Sequence, residues 1–313
     1  MKENINQTKW HQRMGAFGDL PTRFLRSSLR VAPWFIEPVL ITFWSLVFFA
    51  LASNQRRAIM ANLTALFPTW SHARAAVGAF CVFRQFATTY VDALRCEIGA
   101  GDVDWVIDGR DAFHELADAD TGCLVLTAHM GNYDLAAPVF SGRFKRPIHA
   151  VRAPERNPEM QALREAERRE MEQRFPMFQT HYNRDGKMLG VELAQLLNQH
   201  EVVAVQADRT LGDTSSMTVT LDDGLTIRMP KGPLYLAQIT GARCFPLLIT
   251  RDGWRRYRVS VWPELKLPAR QRGSKSHPEH PIWAQTMVDM LRPHWNQWFV
   301  FEPILERKEA NSK

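Results

Sequence analysis

The sequence is poor in cysteine. Four residues in 313 (Cys81, Cys96, Cys123 and Cys244) are scattered without a C-x-x-C pair. That excludes a disulfide scaffold and a zinc ribbon and leaves reduced, buried thiols as the default. The H-E-x-x-H and H-x-x-E-H signatures are absent, and His114-Glu115 has no second histidine at metal spacing, so no metal is expected. Residues 1–30 lack an uninterrupted apolar stretch. No secretory signal is therefore visible, and the body of the chain is expected to stay in the cytoplasm. Internal repeats are also missing. Hydrophobic residues at 45% and charged residues at 23% exclude disordered, collagen-like and coiled-coil classes. A chain of this length can bury a sizeable core.

No apolar run is long. The most apolar one, Val39–Ala52 (VLITFWSLVFFALA), is broken only by Thr42 and Ser45. As a helix it reaches roughly 21 Å at about 1.5 Å per residue, short of a hydrocarbon core of roughly 30 Å. Extending it back to Pro33 takes in Glu37 and two prolines. Basic charge surrounds this run. Residues 1–60 hold eight Lys/Arg against three acids, which is five of the six net positive charges. Apolar residues flanked by basic ones point to an anionic membrane surface. The expectation is a helix lying on or dipping into one leaflet, with Trp34 and Trp44 near the headgroups. A buried core helix is the competing reading. A nucleic-acid binder fits poorly, because its basic residues would cover the folded body or a recognition element.

Periodicity divides the chain in two. Residues 1–100 read as helical. Ser53-Asn54 offers an N-cap to a helix ending at Pro68. Ser71 caps a longer helix through about Ile98, whose expected apolar face holds Val77, Phe80, Cys81, Phe83, Phe86 and Tyr90. After Gly99-Ala100-Gly101 strands and helices alternate. Strands are expected at 103–108, 123–129, 147–152, 201–208, 244–250 and 257–263, with a hairpin over 217–229 turning at Asp222–Gly224. Helices are expected at 110–118, after 131, and at 156–174, 186–199, 231–241 and 281–298, with a flexible loop at 270–280. The fold class is α/β: a mixed central sheet flanked by helices, with an N-terminal helical membrane-associating segment. The organisation is 1–100 as that helical region and 101–305 as the core, together one compact unit.

The segment richest in chemistry is Thr127-Ala-His-Met-Gly-Asn-Tyr-Asp134. A buried strand delivers His129 to its C-terminal end, the edge at which open α/β sheets bind ligands. The spacing His-x-x-x-x-Asp lets Asp134 fold back from the first helical turn to orient the imidazole, as a general base requires. Gly131 permits a tight turn and, beside Asn132, leaves backbone N–H groups at a helix N-terminus for an oxyanion. A histidine merely hydrogen-bonded at a strand end is the bland alternative. Arg152 ends a strand at the same edge and suits a phosphate, or else an ion pair with Glu155. Lys231-Gly232-Pro233 opens a helix at its positive end.

RRAIMANLTALFP (56–68), LTAHMGNYD (126–134), HAVRAPERNPEM (149–160), VVAVQADRT (202–210) and MPKGPLYLAQITGARCFPLLITR (229–251) occur in order, and the chain ends in QWFVFEP (297–303). On these segments it resembles the lipid A biosynthesis acyltransferase family of the glycerolipid acyltransferase-like superfamily, over most of residues 50–300. The resemblance implies transfer of a fatty acyl chain from an acyl thioester, on acyl carrier protein or coenzyme A, to a hydroxyl or amine of a lipid or glycolipid. It implies no cofactor, no metal and no covalent enzyme intermediate. His129 would take the acceptor proton and Asp134 would support it; many relatives have Glu at that place. Asp208-Arg209 would lie beside the active site, holding the histidine or the acceptor headgroup, and Lys231-Gly232 would bind substrate. The expected location is the cytoplasmic face of the inner membrane. A non-catalytic lipid-binding protein that keeps the fold is the alternative.

Overall fold

A computed structural model describes residues 27–29, 33, 35–99, 101–144, 146–154, 158–183, 188–210, 215–268 and 279–307. The basic residues before position 27, and also Arg30, Trp34, Glu155 and the loop at 270–278, lie outside them.

Helix α1 (Glu37–Leu51) meets α2 (Ser53–Leu66) at a 93° bend. Ala52, not Ser53 or Asn54, is the N-cap of α2, and no side chain caps it. The chain bends so sharply there that Ser53 already stands in the first turn. Helix α3 (His72–Glu97) begins as the sequence suggests, with Ser71 Oγ accepting the Arg74 N–H at 3.2 Å. Its inner face differs from the expected one. Ala75, Ala79, Val82 and Phe83 are buried, whereas Val77 is 64% exposed. Phe83 from the expected face is buried and Phe86 packs against the same core, so that face is right in part; Ala75, Ala79 and Val82 extend it, and Val77 lies outside it.

The core sheet has seven strands in the order β1-β9-β8-β2-β5-β3-β4. They are β1 (Asp104–Asp108), β2 (Cys123–Thr127), β3 (Ile148–Arg152), β4 (Phe178–Tyr182), β5 (Val202–Gln206), β8 (Arg243–Gly253) and β9 (Arg256–Val261). Strands β8, β2, β5, β3 and β4 run parallel; β9 is antiparallel to β8, and β1 follows β9. The sheet is therefore mixed. A hairpin of β6 (Ser216–Thr220) and β7 (Leu225–Pro230) takes β10 (Leu305–Arg307) into a second, three-stranded sheet. Strands β4 and β10 are not apparent from the sequence. FQTHY alternates polar with apolar residues in a single short register, and Leu305–Arg307 has only three residues.

Two cores flank the central sheet. On one side α4 (Arg110–Asp118) and α5 (Tyr133–Ser141) cover Val125, Val202, Phe245 and Val259. On the other, α7 (Leu189–Asn198), α8 (Gly232–Thr240), α9 (Glu279–Leu291) and the second sheet bury Leu124, Leu126, Val203, Val205 and Trp283. Strands β2 and β5 sit at the centre and are covered on both faces, so they read as continuous apolar runs.

The outward side of α1 is apolar, while its inward side mixes polar and apolar residues. Glu37, Ile41 and Ser45 face inward, while Phe35, Val39, Phe43 and Leu46 are 53–68% exposed. Glu37 is fixed by Arg95 at 2.5 Å and Arg255 at 3.1 Å. No single helix among the described residues is long and apolar enough to cross a membrane; α1 and α2 together pass on length and composition, but only as a bent pair.

Candidate active site

Hydrogen-bonded pairing of β2 ends at Thr127, opposite Gln206 of β5. The chain then turns. Gly131 has φ +56°, and a Cβ there would stand 2.2 Å from the Ile249 carbonyl oxygen, so only glycine fits. The turn is held from outside by the C-terminal segment. Gln297 O accepts the Gly131 N–H at 3.4 Å, and the Phe299 N–H donates to His129 O at 2.8 Å. The Gln297 amide clamps the Arg251 backbone on both sides.

His129 is buried and its ring is fixed at both nitrogens. Nδ1 lies 2.8 Å from Asp208 Oδ1, and Nε2 accepts from Arg209 Nε at 3.2 Å. An arginine donor at Nε2 sets the tautomer, with the ring proton on Nδ1, facing the carboxylate. Asp208 is fully buried and also accepts the His129 backbone N–H at 3.0 Å and the Trp298 indole N–H at 2.9 Å. Burial alone would raise its pKa; the His129 charge and these hydrogen bonds outweigh burial and hold the carboxyl below its ordinary value.

The carboxylate beside His129 is thus Asp208, and the expectation that Asp134 would orient the ring is corrected. Asp134 is half-exposed at the start of α5 and pairs with Arg152. The α5 axis carries it outward, so its five-residue separation from His129 does not become a contact. Arg152 stands at the same sheet edge as His129, but its ion-pair partner is Asp134. The N–H of Gly131 is spent on Gln297, and the Asn132 side chain is buried, with Nδ2 3.5 Å from Thr89 O. The expected oxyanion donor at Gly131 is therefore occupied. Lys231 and Gly232 begin α8, with the Lys231 N–H on Ser215 O. Among the described residues neither joins the hydrogen bonds that link His129, Asp208 and Arg209. Trp298 and Glu302, which anchors Arg209 at 3.3 Å, complete the site. Neither carries a sequence pattern, because each is brought in by the chain's return after the final helix.

A largely apolar cavity, with an empty volume of about 860 Å³, part of it open to solvent, reaches the site through Tyr133, which lines it and whose ring centroid lies 5.8 Å from that of His129; His129 and Asp208 do not themselves line it. Arg152 and Asp134 stand at its mouth, Thr127, Gln206 and Tyr133 line its throat, and Ile148, Phe178, Phe144 and Phe113 close its far end. Burial pushes the Tyr133 hydroxyl pKa up, so it stays protonated. No cluster of His, Cys, Asp and Glu suited to a metal occurs among the described residues.

The chain thus has an α/β sheet with a carboxylate-bound imidazole at its edge and a largely apolar cavity nearby. The family model for bacterial lipid A biosynthesis acyltransferases matches residues 23–305. The chain belongs to that family: it is an acyltransferase, with an acyl donor and a lipid-type acceptor. No curated protein matches the chain.

Proposed function

We propose that the protein moves a fatty acyl chain from an acyl thioester, carried by acyl carrier protein or coenzyme A, to a hydroxyl or amine of a lipid or glycolipid, with His129 as general base and Asp208 supporting it. The observation that carries this reading is the His129–Asp208 pair beside the throat of the apolar cavity. The acyl chain would occupy the cavity with its carbonyl carbon near the imidazole. The acceptor oxygen or nitrogen would form its bond to that carbon while its proton passes to His129 Nε2, and the C=O π pair would move to oxygen. Collapse of the tetrahedral intermediate would break the C–S bond, and the departing thiolate would take the proton from the imidazolium. Asp208 would stabilise that imidazolium and hold its tautomer throughout. Arg209 must leave Nε2 before the acceptor can be deprotonated, and Glu302 gives it a second anchor. Arg152 would meet a phosphate of donor or acceptor only by exchanging its bond to Asp134.

The outward face of α1 supports a place on a membrane. An apolar row at i, i+4, i+7 (Val39, Phe43, Leu46) held outward by a buried ion cluster is costly in water and suits a lipid interface. The cytoplasmic face of the inner membrane is the location that the family resemblance implies. A non-catalytic lipid binder is favoured by one observation only, the Arg209 cap on Nε2. Mass spectrometry of total lipids and glycolipids, from cells carrying the wild-type chain or His129→Ala, tests the proposal. Species lacking one acyl group are expected with His129→Ala; an unchanged lipid profile would rule out His129 as the base.

A further inference from the structure

Two polar side chains in the cavity throat are not used by the chemistry described so far. Thr127 and Gln206 end β2 and β5 as directly opposed residues. Both line the cavity, whose other polar groups are Tyr133, Asp134 and Arg152. Thr127 is 7% exposed. Its Oγ1 and the Gln206 Nε2 are buried without a hydrogen-bond partner. The Gln206 amide approaches the Tyr133 hydroxyl closely enough to act on that phenol, but not in the geometry of a formed hydrogen bond. Burying a polar atom without a partner is destabilising. Two such atoms facing each other across neighbouring strands mark a place prepared for a polar atom of a ligand.

The sheet geometry indicates which atom. His129 and Asp208 lie two residues beyond Thr127 and Gln206, just past the ends of the same two strands, so the two pairs share one end of the sheet. An acyl chain entering the cavity passes Thr127 and Gln206 just before its carbonyl carbon reaches the imidazole. Two backbone donors near His129 are already committed: the Gly131 N–H to Gln297 and the His129 N–H to Asp208. We propose, building on the acyl-transfer reading above, that Thr127 Oγ1–H and Gln206 Nε2–H form a side-chain oxyanion hole that holds the carbonyl oxygen of the acyl donor. The nucleophile then arrives from the His129 side while the oxygen points down to the strand ends. As the π pair moves to oxygen, both hydrogen bonds strengthen, which lowers the barrier without tightening ground-state binding.

Thr127→Val and Gln206→Met keep shape and remove the donors. Two probes separate the roles: a dodecyl trifluoromethyl ketone, which hydrates to a tetrahedral, oxyanion-like centre, and dodecanol, which fills the cavity without one. Wild-type protein is expected to bind the ketone more tightly than the alcohol. Removing one oxyanion donor costs on the order of 100-fold in rate, so each substitution should cut the ketone's advantage by roughly tenfold or more while dodecanol affinity stays the same. An advantage that survives both substitutions, or a parallel loss of both probes, would overturn the inference and leave the two residues as lining. If wild-type protein binds neither probe, the acyl-cavity reading itself fails and the inference falls with it. The dodecanol measurement distinguishes those two failures.

Discussion

His129 Nδ1 and Asp208 Oδ1 stand 2.8 Å apart across 79 positions of sequence, each two residues past the end of one of two adjacent parallel strands. Asp208 accepts three hydrogen bonds, of which two are donated by His129. Asparagine can accept at one oxygen only. Asp208→Asn would leave either the His129 backbone N–H and the Trp298 indole N–H, which share Oδ2, or the His129 Nδ1–H facing an amide nitrogen, and would weaken the hold on the tautomer. Turnover is expected to fall by on the order of 10⁴-fold, the scale seen when a triad aspartate becomes asparagine. Asp134→Asn should cost about tenfold at most, mainly in KM, because it breaks a half-exposed ion pair with Arg152. Steady-state kinetics on both variants, with acyl transfer or thioester hydrolysis as readout, decide which carboxylate serves the imidazole. A larger kcat loss for Asp134→Asn would reverse the assignment.

The same carboxyl carries a pH signature. Its folded-state pKa lies below the ordinary value of 3.8. Such a group contributes stability above the unfolded-state value and loses it as pH falls through the folded-state value. Wild-type protein should therefore be more stable than Asp208→Asn at neutral pH, and the gap should narrow as pH drops below about 3.8. Denaturant midpoints measured from pH 7 to pH 3 read this directly. A gap that widens on acidification would contradict the sign.

The imidazole is legible from sequence because its cause is local: a buried apolar strand, then a glycine turn. Its partner is not. Asp208 reaches His129 only because β5, not the next strand β3, lies beside β2, and that order is a property of the whole sheet. The spacing to Asp134 gave a plausible but wrong contact for the opposite reason: five residues are near in sequence, yet α5 leads the carboxylate away from the ring. The apolar run of α1 is visible in sequence, but its orientation is not. That depends on the buried pairing of Glu37 with Arg95 and Arg255, and the apolar residues surround too much of the helix to mark one face. Trp298 and Glu302 enter the site through the chain's return, which no local pattern foretells.

Thiol chemistry should have no part in turnover. Cys123 and Cys244 are buried on adjacent strands. Burial raises the pKa of both, that of Cys244 to about 12, and that of Cys96 to about 11. Thiolate is thus scarce at neutral pH. Iodoacetamide treatment at pH 7.5 under native conditions is expected to leave transfer activity within about twofold. Inactivation that follows modification of Cys123 would instead indicate a nucleophilic cysteine.

Val39, Phe43 and Leu46 project from α1 on the side opposite the buried Glu37. Replacing all three by serine leaves the inward contacts of α1 untouched, so folding should be preserved. Vesicle binding should fall sharply, since each large side chain that leaves lipid forfeits roughly 1.5–3 kcal/mol. Flotation with vesicles of mixed zwitterionic and anionic lipids measures it, at low and high salt. Binding of the triple variant equal to wild type would show that α1 is not the apolar anchor. Release of wild-type protein by moderate salt alone would assign the attachment to charge instead.

The cavity follows β3 from Arg152 to Ile148, a length of about 13 Å at about 3.3 Å per residue, and Phe144, Phe178 and Phe113 close it. The depth available to an acyl chain is therefore set by aromatic rings, not by an open groove. Phe113 and Phe144 meet edge-to-face with centroids 5.6 Å apart, so each supports the other as the floor. Phe144→Leu would lower that floor with a modest loss of packing, and Ala204→Phe would raise an obstacle halfway along. A series of acyl thioesters of increasing length reads the result as kcat/KM. The optimum should move to longer chains with Phe144→Leu and to shorter ones with Ala204→Phe, while His129-dependent chemistry on the shortest donors stays within a few-fold of wild type. Identical length profiles in all three proteins would mean that the acyl chain lies elsewhere.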